Sequence, residues 1–528
     1  MTLALDYLSP LPPVRSGIAD YSLDLLPHLV ARADVRVLRL DGLPLDEAVA
    51  RRFGVVDSAA RAGEGGRIPL YQMGNNRYHA EVLRLAMERP GVMALHDLVL
   101  HHYLLDRTVG QGNWNAYRDE LERCHGWIGD AVARPVRWGA FGLAGQFDLP
   151  ANRTVLARQR GVLVHGRWAA ERLAEDDPRL AVREVPMAIP LPAPASREKG
   201  SEFRRRHGIP QEAPLLGSFG FQTPMKRTDV AIRALARESL GDAHLLVAGE
   251  LSPYIRFEKT IAEHGVGARV HLAGFLPFAA MEAAIAATDL CLNLRYPSAG
   301  ETSASLLRIL AEGRPVIVSD YAELGELPPE IALVVSLGED EEARFAATVG
   351  EALGGGRAAL AAMGARARAH VAARHAPERA AAAILAAVAE LAEREPPGET
   401  PPAVPPRTSV ASSRPQGAIS VHGLAGWRPG ERGALAVELV NRGPGVWLPS
   451  ADDPGGVQIE VQIHCATSGT VHTPPWLRLQ APLAPGERVT VALEARRPLG
   501  AARLMLIPKV AVGGVFAPFG EWSFDRWL

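Results

Sequence analysis

The chain has 528 residues, of which 47% are hydrophobic and 22% charged, a composition typical of globular and not of disordered proteins. Its length corresponds to about three domains. The 57 Lys and Arg residues nearly balance the 59 Asp and Glu residues, which argues against a protein that binds nucleic acid mainly by charge but leaves room for a small anion site.

Export, membrane insertion and disulfide bonding are not expected. The N-terminal segment MTLALDYLSPLPPVRSG lacks the basic and apolar regions of a signal peptide, and no stretch approaches the roughly 18–20 apolar residues of a bilayer span. The three cysteines are far apart and form no CxxC pair, so neither a disulfide framework nor a zinc site of that spacing is predicted. We therefore expect a cytoplasmic protein whose contact with the inner membrane would be peripheral.

Apolar strands alternate with helical patterns through residues 1–395. The predicted strands lie at 35–40, 91–95, 161–164, 215–219, 244–248, 270–272, 290–294 and 315–318. This alternation indicates an α/β fold with parallel sheets. The region is too long for one doubly wound sheet, and prolines interrupt the pattern near 187–199, so we predict two Rossmann-like domains at 1–187 and 188–375.

The last quarter of the chain has a different pattern. Residues 376–395 continue a long alanine-rich helical stretch, and the proline-rich segment 396–417 is predicted to be an extended linker. Residues 418–528 contain short strands separated by turn signals such as DDPGG and APGER, which favour an antiparallel β-sandwich. Tryptophans in this region suggest an accessory module that contacts glycan or protein, although such residues are more often in a core or an interface: Trp427, Trp447, Trp476, Trp522 and Trp527.

Two candidate sites lie in the first predicted domain. The segment 12–21, PPVRSGIADY, leads from a short strand into a helix, and Gly17 would let the backbone approach an anion or a sugar; an ordinary turn is the alternative. His96 follows a predicted strand, where ligands of open α/β sheets bind, although a hydrogen-bonded structural histidine would also fit. Neither His96 nor the nearby His101 and His102 belongs to a recognisable set of metal ligands.

Two further candidates lie in the second predicted domain. The loop GSFGFQTPMKR (217–227) follows a strand and places Lys226 and Arg227 at the start of a helix, where an anionic ligand such as a diphosphate would offset their charge; a solvated basic helix end is the alternative. The segment GETSASLLRILAEG (300–313) predicts a helix capped by Thr302 or Ser303, whose first N–H groups could hold a phosphate. Glu301 beside it could bind sugar hydroxyls, or the segment is a capped core helix.

The ordered set of motifs resembles the retaining GT-B glycosyltransferases of family 4, over roughly residues 1–393. The motifs are PPVRSGIADYS, LYQMGNN (70–76), LHDLVLHH (95–102), FGFQTPMKR and RYPSAGETSASLLRILAEGRPVIVSD (295–320). The resemblance implies two domains facing a cleft, a helix within 376–395 that crosses back to the first domain, and a nucleoside-diphosphate sugar bound mainly by the second.

The resemblance also implies residue roles. His96, Lys226 and Glu301 would be catalytic, and three residues of the first domain would lie on the acceptor side: Arg15, Asn75 and Asp97. The donor would be bound by a larger set, consisting of Gly17, Gly220, Lys226, Arg227, Glu301, Thr302, Ser303, Ala304 and Ser305.

Two positions depart from the family pattern. The second glutamate, expected eight residues after Glu301 as a ribose ligand, is replaced by Ile309, with Arg308 beside it. An arginine expected five residues before Lys226 is replaced by Phe221, so we expect Arg227 to contribute to diphosphate binding instead.

The implied activity is transfer of a sugar, with retention, to a hydroxyl of a glycan or lipid-linked acceptor in cell-surface polysaccharide synthesis. No DxD-like motif stands near the site, so we expect neither metal nor another cofactor. The absent second glutamate motivates one alternative, a non-catalytic scaffold that binds nucleotide or glycan. A sugar-nucleotide epimerase of the same architecture is a second alternative.

Overall fold

The computed structural model describes residues 3–56, 58–126, 129–130, 132–133, 145–193, 197–338, 340–398, 416–443, 445–449, 456–512, 515–518 and 523–528. Most of the predicted linker 396–417, together with Trp522, lies outside the described residues. Among the described residues, no helix is long and apolar enough to cross a bilayer.

The first lobe is built on a parallel six-stranded sheet in the order β2-β1-β3-β4-β5-β6. Its strands are β1 Ala4–Leu8, β2 Asp34–Leu38, β3 Ile68–Met73, β4 Val92–Leu95, β5 Gly161–Val164 and β6 Val182–Glu184. Its helices are α1 Gly17–Val30, α2 Glu47–Phe53, α3 Ala80–Glu88, α4 His101–Arg107, α5 Trp114–His125, α6 Gly145–Asp148, α7 Arg153–Leu156 and α8 Arg167–Asp176. The central strands are buried on both faces, as expected of a sheet covered by helices on both sides.

The second lobe repeats this plan with a parallel sheet in the order β12-β11-β10-β7-β8-β9. Its strands are β7 Leu215–Phe219, β8 His244–Ala248, β9 Val270–Gly274, β10 Leu290–Asn293, β11 Val316–Ser319 and β12 Ala332–Val335. Its helices are α9 Arg197–Arg206, α10 Thr228–Ala234, α11 Phe257–Glu263, α12 Phe278–Ala287, α13 Ala304–Ala311, α14 Glu341–Gly354 and α15 Gly356–Arg374. The prediction of an α/β fold with two parallel sheets is therefore confirmed.

The helix α16, Pro377–Ala392, returns to the first lobe, where its buried face packs against α1, β4 and β5. Its Leu391 side chain fills the space beside Gly161, where an added Cβ would lie 2.4 Å from Leu391 Cδ2. The chain therefore crosses between the lobes twice, once before α9 and once between α15 and α16.

The C-terminal region forms two antiparallel sheets that share one hydrophobic core. One sheet has the order β13-β14-β18; the other joins β16, β15, β19 and β20, with β17 on β15 and β21 on β19. The strands are β13 Gly417–His422, β14 Arg432–Asn441, β15 Val457–Cys465, β16 Val471–His472, β17 Leu477–Arg478, β18 Arg488–Arg496, β19 Ala502–Val512, β20 Val515–Pro518 and β21 Phe524–Trp527. Alternating burial along β14 and β15 places every second side chain in this core, as in a β-sandwich.

The two α/β lobes touch at the carboxyl ends of their strands. The Val99 amide, shortly after β4, donates a 2.9 Å hydrogen bond to the Ala299 carbonyl in the loop between β10 and α13. In the same loop Gly300 has a φ of +71° and packs so closely on Leu98 that an added Cβ would lie 2.6 Å from Leu98 Cβ. The loop that contains Glu301 is thus held directly against the first lobe.

Candidate functional site

Lys226 ends a short 3-10 turn, Pro224–Lys226, that follows β7. Its Nζ donates to the Phe219 carbonyl. It also lies beside Gly220, where an added Cβ would come within 3.0 Å of Nζ. Burial lowers the pKa of Lys226 to about 7; the charge of Arg295 lowers it further and that of Glu301 opposes the change. This ammonium group is therefore short of anionic partners, which an anionic ligand would supply.

Arg295, two residues beyond the end of β10, is the second cation of the site and was missed by the sequence analysis. Its Nη1 lies 2.6 Å from Glu301 Oε1, and its Nη2 donates to Ser303 Oγ at 3.2 Å. Its Nε is buried without a hydrogen-bond partner among the described residues. The signal was available, since Arg295 follows a strand in the same way that His96 does, and ligands of such sheets bind at those ends.

The start of α13 is a helix N-terminus that is capped by a side chain. Ser303 caps it by accepting a 3.3 Å hydrogen bond from the Leu306 amide, and its Oγ lies 3.1 Å from Ser305 Oγ. The first N–H groups of a helix have no partner within the helix, so the amides from Ala304 onwards can hold an anion. Glu301, just before this turn, accepts from Ser298 Oγ at 2.9 Å as well as from Arg295.

Polar residues of the first lobe face this turn from across the cleft. The backbone amide of Asn75 donates to Asp97 Oδ2 at 2.7 Å, and the side-chain Nδ2 of Asn75 lies 3.0 Å from His102 Nδ1. Burial raises the pKa of Asp97 to about 7, and the negative charge of Glu301 contributes in the same direction. The predicted acceptor residues Asn75 and Asp97 are thus brought together near Glu301.

His96 is buried at the end of β4. Its Nε2 lies 2.8 Å from Gln72 Oε1, and its ring contacts those of Tyr21 and His165, with centroids 4.8 and 5.1 Å away. Burial lowers the pKa of His96 well below its usual 6.5, with a smaller contribution from His165. Burial therefore disfavours the charged form of the imidazole, and the hydrogen bond to Gln72 fixes the ring.

Gly74, at the end of β3, is a further position that the sequence analysis missed. A Cβ there would lie 2.3 Å from Ile18 Cδ1, 2.9 Å from His79 Nε2 and 3.2 Å from Asp97 Oδ2. Glycine at this point lets the first turn of α1 approach the polar residues after β3 and β4. It could have been found within the motif LYQMGNN (70–76), because a glycine there directly follows a segment that the structure shows to be β3.

The loop around Gly17 opens onto solvent. Gly17 begins α1, and a Cβ on it would meet no atom within 4 Å; Ser16 caps the helix by accepting from the Ile18 amide at 3.3 Å. Arg15 is exposed in the same loop. The structure thus places the loop beside the cleft, but the contacts within the chain do not themselves require glycine at 17.

The structure does not bring Arg227 together with Lys226. Arg227, with a φ of +50°, turns away from the site and forms a paired contact with the buried Glu341, in which Nε lies 2.8 Å from Oε1. The structure thus gives Arg227 a carboxylate partner away from Lys226, and its part in diphosphate binding stays a prediction. The cation beside Lys226 is Arg295, because β10 and β7 are neighbours in the sheet and their ends meet.

The position of the missing glutamate is also explained. Ile309 is buried, and the Arg308 guanidinium reaches across to α1 of the first lobe, where its Nη2 lies 2.9 Å from Asp24 Oδ2. The position of the expected glutamate is thus taken by a buried apolar residue, and the arginine beside it pairs with the opposite lobe. Among the described residues, no group of three or more His, Cys, Asp or Glu side chains is arranged to hold a metal ion.

The comparisons agree with a pair of facing Rossmann-like lobes. A sequence-family profile described as Glycosyl transferase-like matches residues 227–386, within the second lobe and the returning helix. None of the curated proteins matches the chain. Sucrose-phosphate synthase of Thermosynechococcus elongatus is similar in structure over 74% of this chain and 99% of its own, with 14% sequence identity and a TM-score of 0.50.

Two other solved structures are similar over most of the two lobes. Anabaena HepE, crystallised with UDP and glucose, gives a TM-score of 0.48 at 15% identity over 74% of this chain and 100% of its own. WaaG, described as a glycosyltransferase involved in lipopolysaccharide biosynthesis, gives 0.46 at 17% identity over 72% and 98%. The two parallel sheets and the similarity to sucrose-phosphate synthase show a GT-B fold for the two lobes, which an antiparallel β-sandwich follows.

Proposed function

We propose that the two lobes form a glycosyltransferase that takes a sugar from a nucleoside diphosphate. The observation that carries this proposal is the convergence of Lys226, Arg295 and the capped start of α13 on one side of an inter-lobe cleft. Two cations and a helix N-terminus suit a diphosphate, while Asp97 and Asn75 opposite them suit a hydroxyl group.

The chemistry follows from where charge develops. When the bond between the sugar and the diphosphate breaks, negative charge grows on the leaving phosphate. Lys226, Arg295 and the α13 amides would stabilise that charge, and removing one such donor typically costs about 2.7–4 kcal/mol of transition-state stabilisation. Glu301, held by Arg295 and Ser298, would accept hydrogen bonds from the transferred sugar.

Retention and metal independence are part of the proposal. A front-face reaction needs no carboxylate nucleophile, because the leaving phosphate can accept the proton of the acceptor hydroxyl. His96 would sit beside the sugar as a neutral hydrogen-bonding group, since its pKa is lowered by burial. A fixed pair of cations would replace the divalent ion that many nucleotide-sugar enzymes use, which predicts activity in the presence of EDTA.

The first test is a thermal-shift screen of the full chain against UDP-, GDP- and ADP-sugars, because a ligand that binds only the native state raises its stability. Arg295→Met should abolish the shift produced by the best donor, whereas Arg256→Met, on an exposed turn of the same lobe, should keep it. Absence of any shift with all three classes, or a full shift in Arg295→Met, would contradict the proposal.

Product analysis separates the proposed reaction from its alternatives. A lengthened glycan with retained anomeric configuration supports the transferase, an epimerised donor supports an epimerase, and nucleotide binding without either product supports a scaffold. The acceptor we propose is a glycan or lipid-linked glycan of cell-surface polysaccharide synthesis, used in the cytoplasm with the protein at most peripheral to the inner membrane.

We also propose that the C-terminal β-sandwich contacts glycan. Trp427 and Trp447 are core residues, but Trp476 lines a groove of about 800 Å³ between β17 and β18 whose other lining residues include Gln480. An aromatic face beside amide groups suits a sugar ring. Saturable binding of maltohexaose or cellohexaose to the full chain should be lost in Trp476→Ala. It should be kept in the control Trp527→Ala, because Trp527 is exposed outside this groove. Equal binding by both variants would contradict this role.

A further inference from the structure

Glu323, in the loop after β11, reaches from the second lobe onto the first. An ideal Cβ on Gly166, at the end of the first-lobe segment that precedes α8, would lie 1.4 Å from Glu323 Oε1 and 2.1 Å from its Cδ. The carboxyl group thus occupies the volume that any other residue at 166 would fill. Only glycine at this position allows the contact, although the φ of Gly166 is an ordinary extended value of −141°.

The contact lies at the start of a helix. Gly166 is the residue before α8, it supplies no capping side chain, and α8 is ten residues long. A carboxyl group near such a start is favoured by the helix dipole. The same loop makes a second contact with the same turn, since Arg167 Nε lies 3.5 Å from Glu326 Oε1. The loop is therefore seated on α8 when the lobes are together.

The other contact of Glu323 leads to the proposed donor site. Thr302 Oγ1 donates a 2.6 Å hydrogen bond to the same Oε1 that occupies the space at Gly166. Thr302 lies between Glu301 and Ser303, the residue that caps α13. One carboxyl oxygen thus connects the opposite lobe with the turn that is proposed to hold the donor phosphate.

The second oxygen of Glu323 distinguishes this contact from ordinary packing. Its Oε2 is buried without a hydrogen-bond partner among the described residues, beside an inter-lobe pocket of about 290 Å³ that is also lined by His165 and Ser303. Burial raises the pKa of Glu323 to about 7, against the effect of the Thr302 hydrogen bond. A half-satisfied buried carboxyl is a poor choice for stability alone, so a role in the site explains it better.

We propose that Glu323 is a positioning residue that couples closure of the two lobes to the donor site. When the lobes meet, its carboxyl group enters the space left by Gly166 and fixes Thr302, and with it the first turn of α13. When the lobes separate, Glu323 loses its contact with the start of α8 and no longer fixes the Thr302 side chain. The inference rests on the proposed glycosyl transfer and adds the condition that the phosphate-binding turn is complete only in the closed form.

The test compares Gly166→Ala, Glu323→Ala and the double variant in the full chain. Gly166→Ala displaces the carboxyl group without removing it, so each single variant should lower kcat at least tenfold while the donor KM changes less than threefold, because the turn acts most strongly on charge that develops in the transition state. The double variant should be no slower than the worse single variant, since both changes remove one contact. Glu323→Gln, whose side-chain oxygen can still accept from Thr302, should recover most of the rate.

Gly354→Ala is the matched control, because a Cβ there meets no atom within 4 Å, and it should behave as the wild type. A kcat within twofold of wild type for Gly166→Ala, or additive losses in the double variant, would overturn the coupling and leave only a structural role. Isothermal titration with UDP, GDP and ADP separates the two proposals. If the wild type binds none of them and transfers no sugar, the proposed function fails and the coupling with it; if it binds and transfers, only the coupling is judged by Gly166→Ala.

Discussion

Replacing Lys226 with methionine should lower activity and raise thermal stability, with a pH dependence that identifies the cause. The ammonium group is buried and its pKa falls from 10.5 to about 7. The unfolded chain therefore binds this proton more tightly than the native chain between pH 7 and pH 10.5. Stability rises with pH over that interval, and methionine, which has a similar volume and no charge, removes the effect.

The size of the effect follows from the two pKa values. At about 1.4 kcal/mol per pH unit, the difference between 10.5 and about 7 corresponds to at most about 5 kcal/mol. The protonation equilibria give about 4 kcal/mol of destabilisation at pH 7 and about 2 kcal/mol at pH 9. The stability advantage of Lys226→Met over the wild type should therefore shrink by about 2 kcal/mol between these pH values. Its sugar transfer should fall by about 10²–10³-fold, the effect of losing one preorganised charge partner.

Melting curves of both proteins from pH 6.5 to pH 9.5, with donor turnover measured on the same samples, check these values. Lys259→Met is the control, because Lys259 is an exposed lysine 3.7 Å from Glu263, where little effect on either measurement is expected. A melting-temperature difference between wild type and Lys226→Met that does not change with pH would refute the lowered pKa of this buried amine. Wild-type turnover in Lys226→Met would refute its role at the diphosphate.

Two further predictions concern the contact between the lobes. Gly300→Ala should reduce transfer at least tenfold, because its Cβ would lie 2.6 Å from Leu98 Cβ. The control Gly42→Ala, which has a similar positive φ and no atom within 4 Å of the added Cβ, should stay within twofold of wild type. Equal losses in the two variants would show that backbone strain alone is responsible. The melting temperature of Asp97→Asn should rise relative to that of wild type between pH 4 and pH 7. The native pKa of about 7 makes the folded chain bind this proton more tightly than the unfolded chain, so wild-type stability falls over that interval. A difference in melting temperature that does not change with pH would contradict the raised pKa.

Several of the strands were predictable, because burial on both faces gives a strand an apolar sequence. The predictions 215–219 and 244–248 coincide with β7 and β8, and 161–164 with β5. Such strands are mostly apolar runs of four to five residues, and their alternation with helices permits few topologies. A cap at Thr302 or Ser303 could be predicted for a similar reason, since capping depends on residues close in the chain, and the structure gives this role to Ser303.

The partners of the charged side chains could not be predicted in this way. Nothing within the segment 217–227 tells that Arg227 pairs with Glu341, which lies 114 residues away, or that Arg295 takes the place beside Lys226. A long basic side chain can pair with any carboxylate that the fold brings within reach. Its partner therefore depends on the strand order and not on the local sequence pattern.

The amino-acid sequence by itself determined the architecture of this protein: two α/β lobes with parallel sheets, a returning helix and a C-terminal β domain. The local periodicity of apolar residues indicates each of them. The tertiary structure decided how the site is completed. Gly166 and Glu323, or Gly300 and Leu98, are ordinary residues until the lobes meet, because a space left by an absent Cβ has meaning only relative to the surface that fills it. The site in the cleft is a property of two surfaces in contact, and no single segment contains it.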